Sequence, residues 1–212
     1  MTGWARWSPI SGMVFVALWI SVFVVVGDDI GDTNQEVLDW YADSGNRDKQ
    51  HLAFWLVAAA SLALIWFAST LRHRLRERDQ SMLPSLALGG GVAAATLWVA
   101  AFSAWTAIAN AVEEEDEFVV VPDTARAFDA FGYILFVGAG MASSLLVLGA
   151  SVVALRTGLL PKWLAWLGVP IAAIMLVTFI FIPFFVLLGW VLVVSLVLMF
   201  WKPAAEAPAA AG

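Results

Sequence analysis

Apolar residues in this chain come in long unbroken blocks rather than in alternation or narrow stripes. The first runs from Ile10 to Val26 and stops at Gly27-Asp28-Asp29. A helix rises about 1.5 Å per residue, so about 20 apolar residues cross a hydrocarbon core about 30 Å thick. Blocks of about that length recur, and the pattern predicts six transmembrane helices over about 9–27, 52–71, 86–112, 126–155, 163–181 and 184–201. The expected fold is all-α, a single polytopic six-helix domain over 1–202. Residues 203–212, alanine- and proline-rich, read as a disordered tail.

Signals between the blocks support these limits. Ser8 suits an N-cap and Pro9 a first turn, and no small-x-small cleavage site follows the first block, so it reads as a retained helix rather than a signal peptide. Thr33 and Glu36 have capping-box spacing, which predicts a short surface helix through about Ala42, with Trp40 and Tyr41 suited to the headgroup zone. Ser81 and Pro84 precede the third block, and Glu113 to Glu117 close it, because carboxylates oppose the dipole at a helix C-terminus. Asp123 or Thr124 is expected to cap the fourth, and Arg156-Thr157-Gly158 to end it. Trp163 to Trp201 carries no charge. As one helix it would span about 58 Å, so it must fold back, with Pro183 the natural turn.

Composition agrees. Hydrophobic residues make up 62% and charged residues 13%, against about 45–50% and about 25% in soluble domains. There is no cysteine, which excludes disulfides, thiolate metal sites and cysteine nucleophiles. The net charge of −6 mostly reflects topology. With the N-terminus inside, Arg6, Arg72, Arg74, Arg76, Arg78, Arg156, Lys162 and Lys202 are cytoplasmic, leaving three of the 11 lysines and arginines outside. Inversion would carry the Arg72–Arg78 cluster across the bilayer at about 2.5–3.5 kcal/mol per arginine at a helix centre. The expected location is a bacterial plasma membrane, with both termini cytoplasmic.

Lipid gives helices no hydrophobic reason to associate, so close backbone approach must. Gly89, Gly90 and Gly91 precede Ala93, Ala94 and Ala95 by four. Gly138 and Ala142, then Gly140 and Ser144, repeat the spacing, and the second helix is rich in alanine. A tight group of the second, third and fourth helices follows, with the sixth more lipid-facing; a homo-oligomer seam is the other use of such stripes. Trp4, Trp7, Trp163, Trp166 and Trp201 read as interface anchors. Trp98 and Trp105 are deeper, and their indole N–H groups require protein or a polar cavity.

No ionisable residue lies mid-span, which argues against a proton-coupled pump or voltage sensor. Polar groups gather toward the outer side: His51, Ser103, Thr106, Asn110, Asp129 and Tyr133, with Trp55 and Trp105 as candidate walls of a pocket. The plainer reading is helix-end groups satisfied by water. No nucleophile motif is present. The two histidines sit at opposite faces, so no metal site or other cofactor is expected. Arg72, Arg74, Arg76 and Arg78 suit anionic lipid headgroups, at about 1 kcal/mol each, and serve equally as topology determinants.

Trp40-Tyr41-Ala42-Asp43, the arginine-rich loop and Arg156-Thr157-Gly158-Leu159-Leu160-Pro161-Lys162-Trp163-Leu164-Ala165-Trp166-Leu167-Gly168 together resemble an uncharacterised family of membrane proteins common in actinobacteria, over about residues 10–201. The resemblance implies six spans and no established activity. The expected function is non-catalytic, an accessory subunit or a binder of lipid or another hydrophobic molecule. Alternatives are a small solute carrier or channel with a pathway among helices two, three and four, or a membrane enzyme in which His51, Asn110, Asp129 and Tyr133 meet. Expected partners are membrane lipids and another membrane protein or a second copy; no nucleic acid is expected.

Overall fold

The computed structural model of the protein describes residues 9–26, 30–115, 117–177 and 182–200, and all regular structure among them is helical. The helices are α1 Ile10–Val25, α2 Asn34–Ala42, α3 Ser44–Arg76, α4 Leu83–Glu114, α5 Pro122–Thr157, α6 Lys162–Ile174 and α7 Ile182–Phe200, with a 3-10 turn, Met175–Val177, extending α6. Four of them, α3, α4, α5 and α7, are long and apolar enough to cross a membrane; α1 and Lys162–Val177 are apolar but shorter. The expected features at Trp4, Arg6, Trp7, Ser8, Gly27, Asp28, Asp29, Trp201, Lys202 and the tail lie outside the described residues.

Local chemistry sets most boundaries. The Thr33 hydroxyl accepts from Glu36 N while Glu36 Oε2 accepts from Thr33 N at 2.9 Å and Asp32 N at 3.0 Å, forming the capping box that starts α2. These hydrogen bonds, Thr33's first, hold the Glu36 carboxyl below its ordinary pKa. Gly158 adopts a φ of +66° just past α5, as a glycine after a terminal turn should.

Elsewhere the helices outrun their apolar blocks. α3 begins at Ser44, about two turns before the expected 52, because Asp43 Oδ1 accepts from Gly45 N at 2.7 Å and the polar residues after it extend the same helix. α4 likewise runs Leu83–Glu114 rather than 86–112. α5 starts at Pro122 rather than after a cap at Asp123 or Thr124, since proline needs no N–H partner in a first turn. Pro183 lies in the first turn of α7, not at the bend itself, for the same reason. Pro170 stands inside α6 without ending it.

α4 packs most extensively on α5, with α3 on its other flank, α1 against α3 and α6 against α5. The expected trio is thus a row centred on α4, since α3 and α5 touch little. The α4–α5 contact is backbone on backbone. A Cβ added at Gly90 would lie 2.6 Å from Leu146 N and 2.8 Å from Ala142 O, and one at Gly149 2.9 Å from Leu83 O. On the α3 side a Cβ at Gly91 would lie 2.8 Å from Ala68 Cβ. The last helix is not the more exposed one that was expected. Its apolar window is 50% buried, equal to those of α4 and α5 and above the 39% of α3, because Phe184, Leu187, Val191 and Val194 fill the interior.

The glycine triplet gives a direct test. Gly89 has nothing within 4 Å of an added Cβ, so Gly89→Ala should leave stability unchanged or raise it, as alanine is the better helix former. Gly90→Ala should cost about 1–3 kcal/mol through overpacking. Thermal unfolding in detergent reads both, and equal midpoints would show that α4 and α5 are not in backbone contact.

Candidate functional site

The eight residues expected to form one pocket lie on α3, α4 and α5. His51 Nε2 lies 3.2 Å from Glu113 Oε2 but is not aligned as a hydrogen bond. Arg47 Nε reaches Glu113 Oε1 at 3.4 Å and its Nη1 donates to Tyr41 O, so Glu113 ties the start of α3 to the end of α4. Trp55 is 67% exposed and is not a pocket wall. Ser103 is exposed and donates back to Val99 O, Asn110 is exposed, and buried Thr106 donates to Phe102 O. Trp105 Nε1 donates to Asp129 O at 3.0 Å, its ring lying over Gly132. Asp129 and Tyr133 are half-buried on α5. The structure therefore joins Trp105 to Asp129, sets His51 beside Glu113 and leaves Asn110 exposed. Among the described residues no three of His, Cys, Asp or Glu are grouped to hold a metal ion.

The end where α3 starts holds a small second core that sequence reasoning missed. α2 turns Val37 and Tyr41 inward against Ile108, Ala109 and Ala125. Arg126 fastens the approach to α2: Nη1 donates to Asn34 Oδ1 at 2.9 Å, Nη2 donates to Asp32 O at 2.9 Å, and Nη1 lies 3.2 Å from Asp123 Oδ1. The capping box made α2 legible, and Val37 and Tyr41 at i, i+4 were the available sign of which face docks.

At the opposite end the arginine cluster divides. Arg74 Nη1 donates to Leu198 O at 2.9 Å and Arg78 Nη1 to Thr157 O at 3.5 Å, so both serve carbonyls near the ends of α7 and α5. Such carbonyls have no intrahelical partner, and cations there also meet the favourable end of the dipole. Arg156 pairs loosely with Asp79 at 3.9 Å, and Ser81 hydrogen bonds hold the Asp79 carboxyl below its usual range. Arg72 is half-buried with its Nε unpartnered, and Arg76 is exposed. The expected headgroup set is therefore partly engaged within the protein, with Arg76 the most open member.

The most unusual site is aromatic. Trp19 of α1 meets Phe184 of α7 at 4.6 Å between centroids, Trp98 of α4 at 5.5 Å and Phe136 of α5 at 6.1 Å. Trp19 and Trp98 are 1% and 0% exposed, and neither indole N–H has a hydrogen-bond partner among the described residues. A buried donor left unpaired costs about 1–3 kcal/mol. From this centre the rings continue outward through Phe23, 5.9 Å from Phe184, to Phe185, 5.0 Å from Phe23. Phe23 and Phe185 are 37% and 53% exposed. Trp98 was identifiable as a deep indole needing a partner, whereas Trp19 looked like any apolar residue of the first block.

Tyr41 supplies the test of the α2 core. Burial, then the charge of Asp129, raises its pKa from 10.0 to about 12. The neutral phenol is the favoured form in the fold, so its contribution is intact below about pH 10 and lost as pH rises toward about 12. Alkaline unfolding should steepen in that window, and Tyr41→Phe should flatten it; an unchanged pH profile would show that Tyr41 is not buried.

No protein-family model, no curated protein and no solved structure matches the chain.

Proposed function

We propose that this is a six-span integral membrane protein of a bacterial plasma membrane that binds a lipid or another hydrophobic molecule without transforming it, alone or as an accessory subunit. The observation that carries the reading is the aromatic cluster, which runs from exposed Phe23 and Phe185 to two buried, unpartnered indole donors. Trp190 Nε1 is also buried without a partner, but only Trp19 and Trp98 lie in the ring cluster, where an apolar ligand with a polar group would use both donors. The resemblance to six-span actinobacterial-type proteins is consistent with this reading.

Six spans are supported by alternation of chain direction: Arg74 and Arg78 of α3 reach α7 and α5 at one end, while Arg47 of α3 reaches α4 at the other. The two shorter apolar segments cross with local thinning of the bilayer or flanking anchors such as exposed Trp163 and Trp166. The arginine end is cytoplasmic by the positive-inside rule, which places both termini inside and α2 outside. Arg72 and Arg76 then face anionic headgroups of the inner leaflet. A solute pathway among α3, α4 and α5 is disfavoured by the backbone contacts at Gly90 and Gly149 and the close approach at Gly91.

Two experiments test this. The chain lacks cysteine, so single replacements report topology directly. Asp39→Cys should react with an impermeant maleimide on intact cells and Gln80→Cys only after lysis; the reverse pattern would invert the protein. Native mass spectrometry after gentle extraction should show a defined added mass that falls when Trp19→Phe and Trp98→Phe are combined. A bare 22.9 kDa chain throughout would count against ligand binding.

A further inference from the structure

Resting on that binding site, we infer the chemical class of its ligand: an apolar molecule bearing a carbonyl oxygen that accepts from the Trp19 and Trp98 indoles, reached sideways from the lipid between α1 and α7. Indole nitrogen is a donor only, with no acceptor lone pair to offer. The rings around it, Phe15, Phe102, Phe136 and Phe184, are hydrocarbon. An alcohol or amine placed here would accept from the indoles but leave its own N–H or O–H unpaired in an apolar setting, at a cost of about 1–3 kcal/mol. A carboxylate or ammonium would meet no counter-charge. A carbonyl has two lone pairs and no proton, so it matches two donors and leaves nothing unsatisfied.

Access follows from exposure. Trp19 and Trp98 are closed off, and the same ring chain reaches the surface at Phe23 on α1 and Phe185 on α7. α2 docks on α5 and α3, away from that seam. A ligand therefore enters when Phe23 and Phe185 turn aside, and its carbonyl comes to rest against the indoles.

A quinone ring and a lipid ester share this chemistry, so the test separates them. Purified protein in dodecyl maltoside, which has no carbonyl, is titrated with a prenylated naphthoquinone, a diacylglycerol and squalene, a hydrocarbon without polar atoms. Binding is read from native mass spectra and from the indole N–H resonances of protein labelled with 15N-tryptophan. The expected result is that one carbonyl probe binds more tightly than squalene. It should shift two of the 12 indole signals, assigned to Trp19 and Trp98 by Trp19→Phe and Trp98→Phe, while squalene shifts neither in the same way. Each replacement keeps the ring and should weaken the carbonyl probe about three- to tenfold, with squalene unchanged.

Whichever carbonyl probe gives that response identifies the source as quinone or ester. Equal affinity for all three probes, or a carbonyl-to-squalene ratio untouched by either replacement, would overturn the carbonyl assignment while leaving hydrophobic binding standing. Should a variant fold poorly, the resonances of the unsubstituted protein decide alone: no shift of the two signals by a bound carbonyl probe refutes the inference. No binding of any probe would refute the binding reading itself.

Discussion

The approach of α4 to α5 through Gly90 and Gly149 is the contact on which the remaining packing depends. In a hydrocarbon solvent the backbone must satisfy itself within each helix, and association then rests on dispersion between close surfaces. Where Leu146 N and Leu83 O come near enough to exclude a Cβ, two helix axes are fixed and the other elements dress that pair. α3 takes the alanine flank of α4 at Gly91 and Ala68, while α6 takes the far side of α5. Gly168 admits the Ser151 hydroxyl there, with a Cβ position only 3.2 Å from Trp190 Nε1.

The two ends are closed by different chemistry. At one, Arg74 and Arg78 of α3 donate to carbonyls near the ends of α7 and α5 and so cap those helices. At the other, the polar opening turns of α3, the Glu113 carboxylate and α2 build a small water-side core around Tyr41. Arg47 and Arg126 each bridge segments far apart in the chain there. The excess of acid at this end therefore has structural partners, although much of it remains solvated.

Hydropathy located the four long apolar helices because block length is what it reads, and the α2 capping box and Gly158 were readable because their chemistry is local. Helix starts were not, because the hydrophobic signal stops with the apolar residues while hydrogen bonding continues. Asp43 carries α3 about two turns further than its apolar residues require. The surroundings of the outer polar groups were hidden for another reason. Spacing places Ser103 and Asn110 on one face but does not say whether that face meets protein or surroundings, and here both are exposed. The burial of α7 was hidden because a helix apolar on all sides carries no directional signal.

Large rings and small residues divide the cross-section between them. Glycine and alanine bring α4 to α5 and α3, so the packing there is too close to admit anything else. On the α1 and α7 side, Trp19, Trp98, Phe136 and Phe184 hold the helices apart by their own bulk. Rings pack well with one another, but they tile a volume less flexibly than aliphatic chains, and an indole also carries a donor that phenylalanine would omit. A core selected only for stability would use leucine or phenylalanine at both tryptophan positions and avoid the desolvation cost of two N–H groups. Among the described residues those donors sit where aromatic rings run out to exposed Phe23 and Phe185, the arrangement expected of a site whose occupant supplies the missing acceptor.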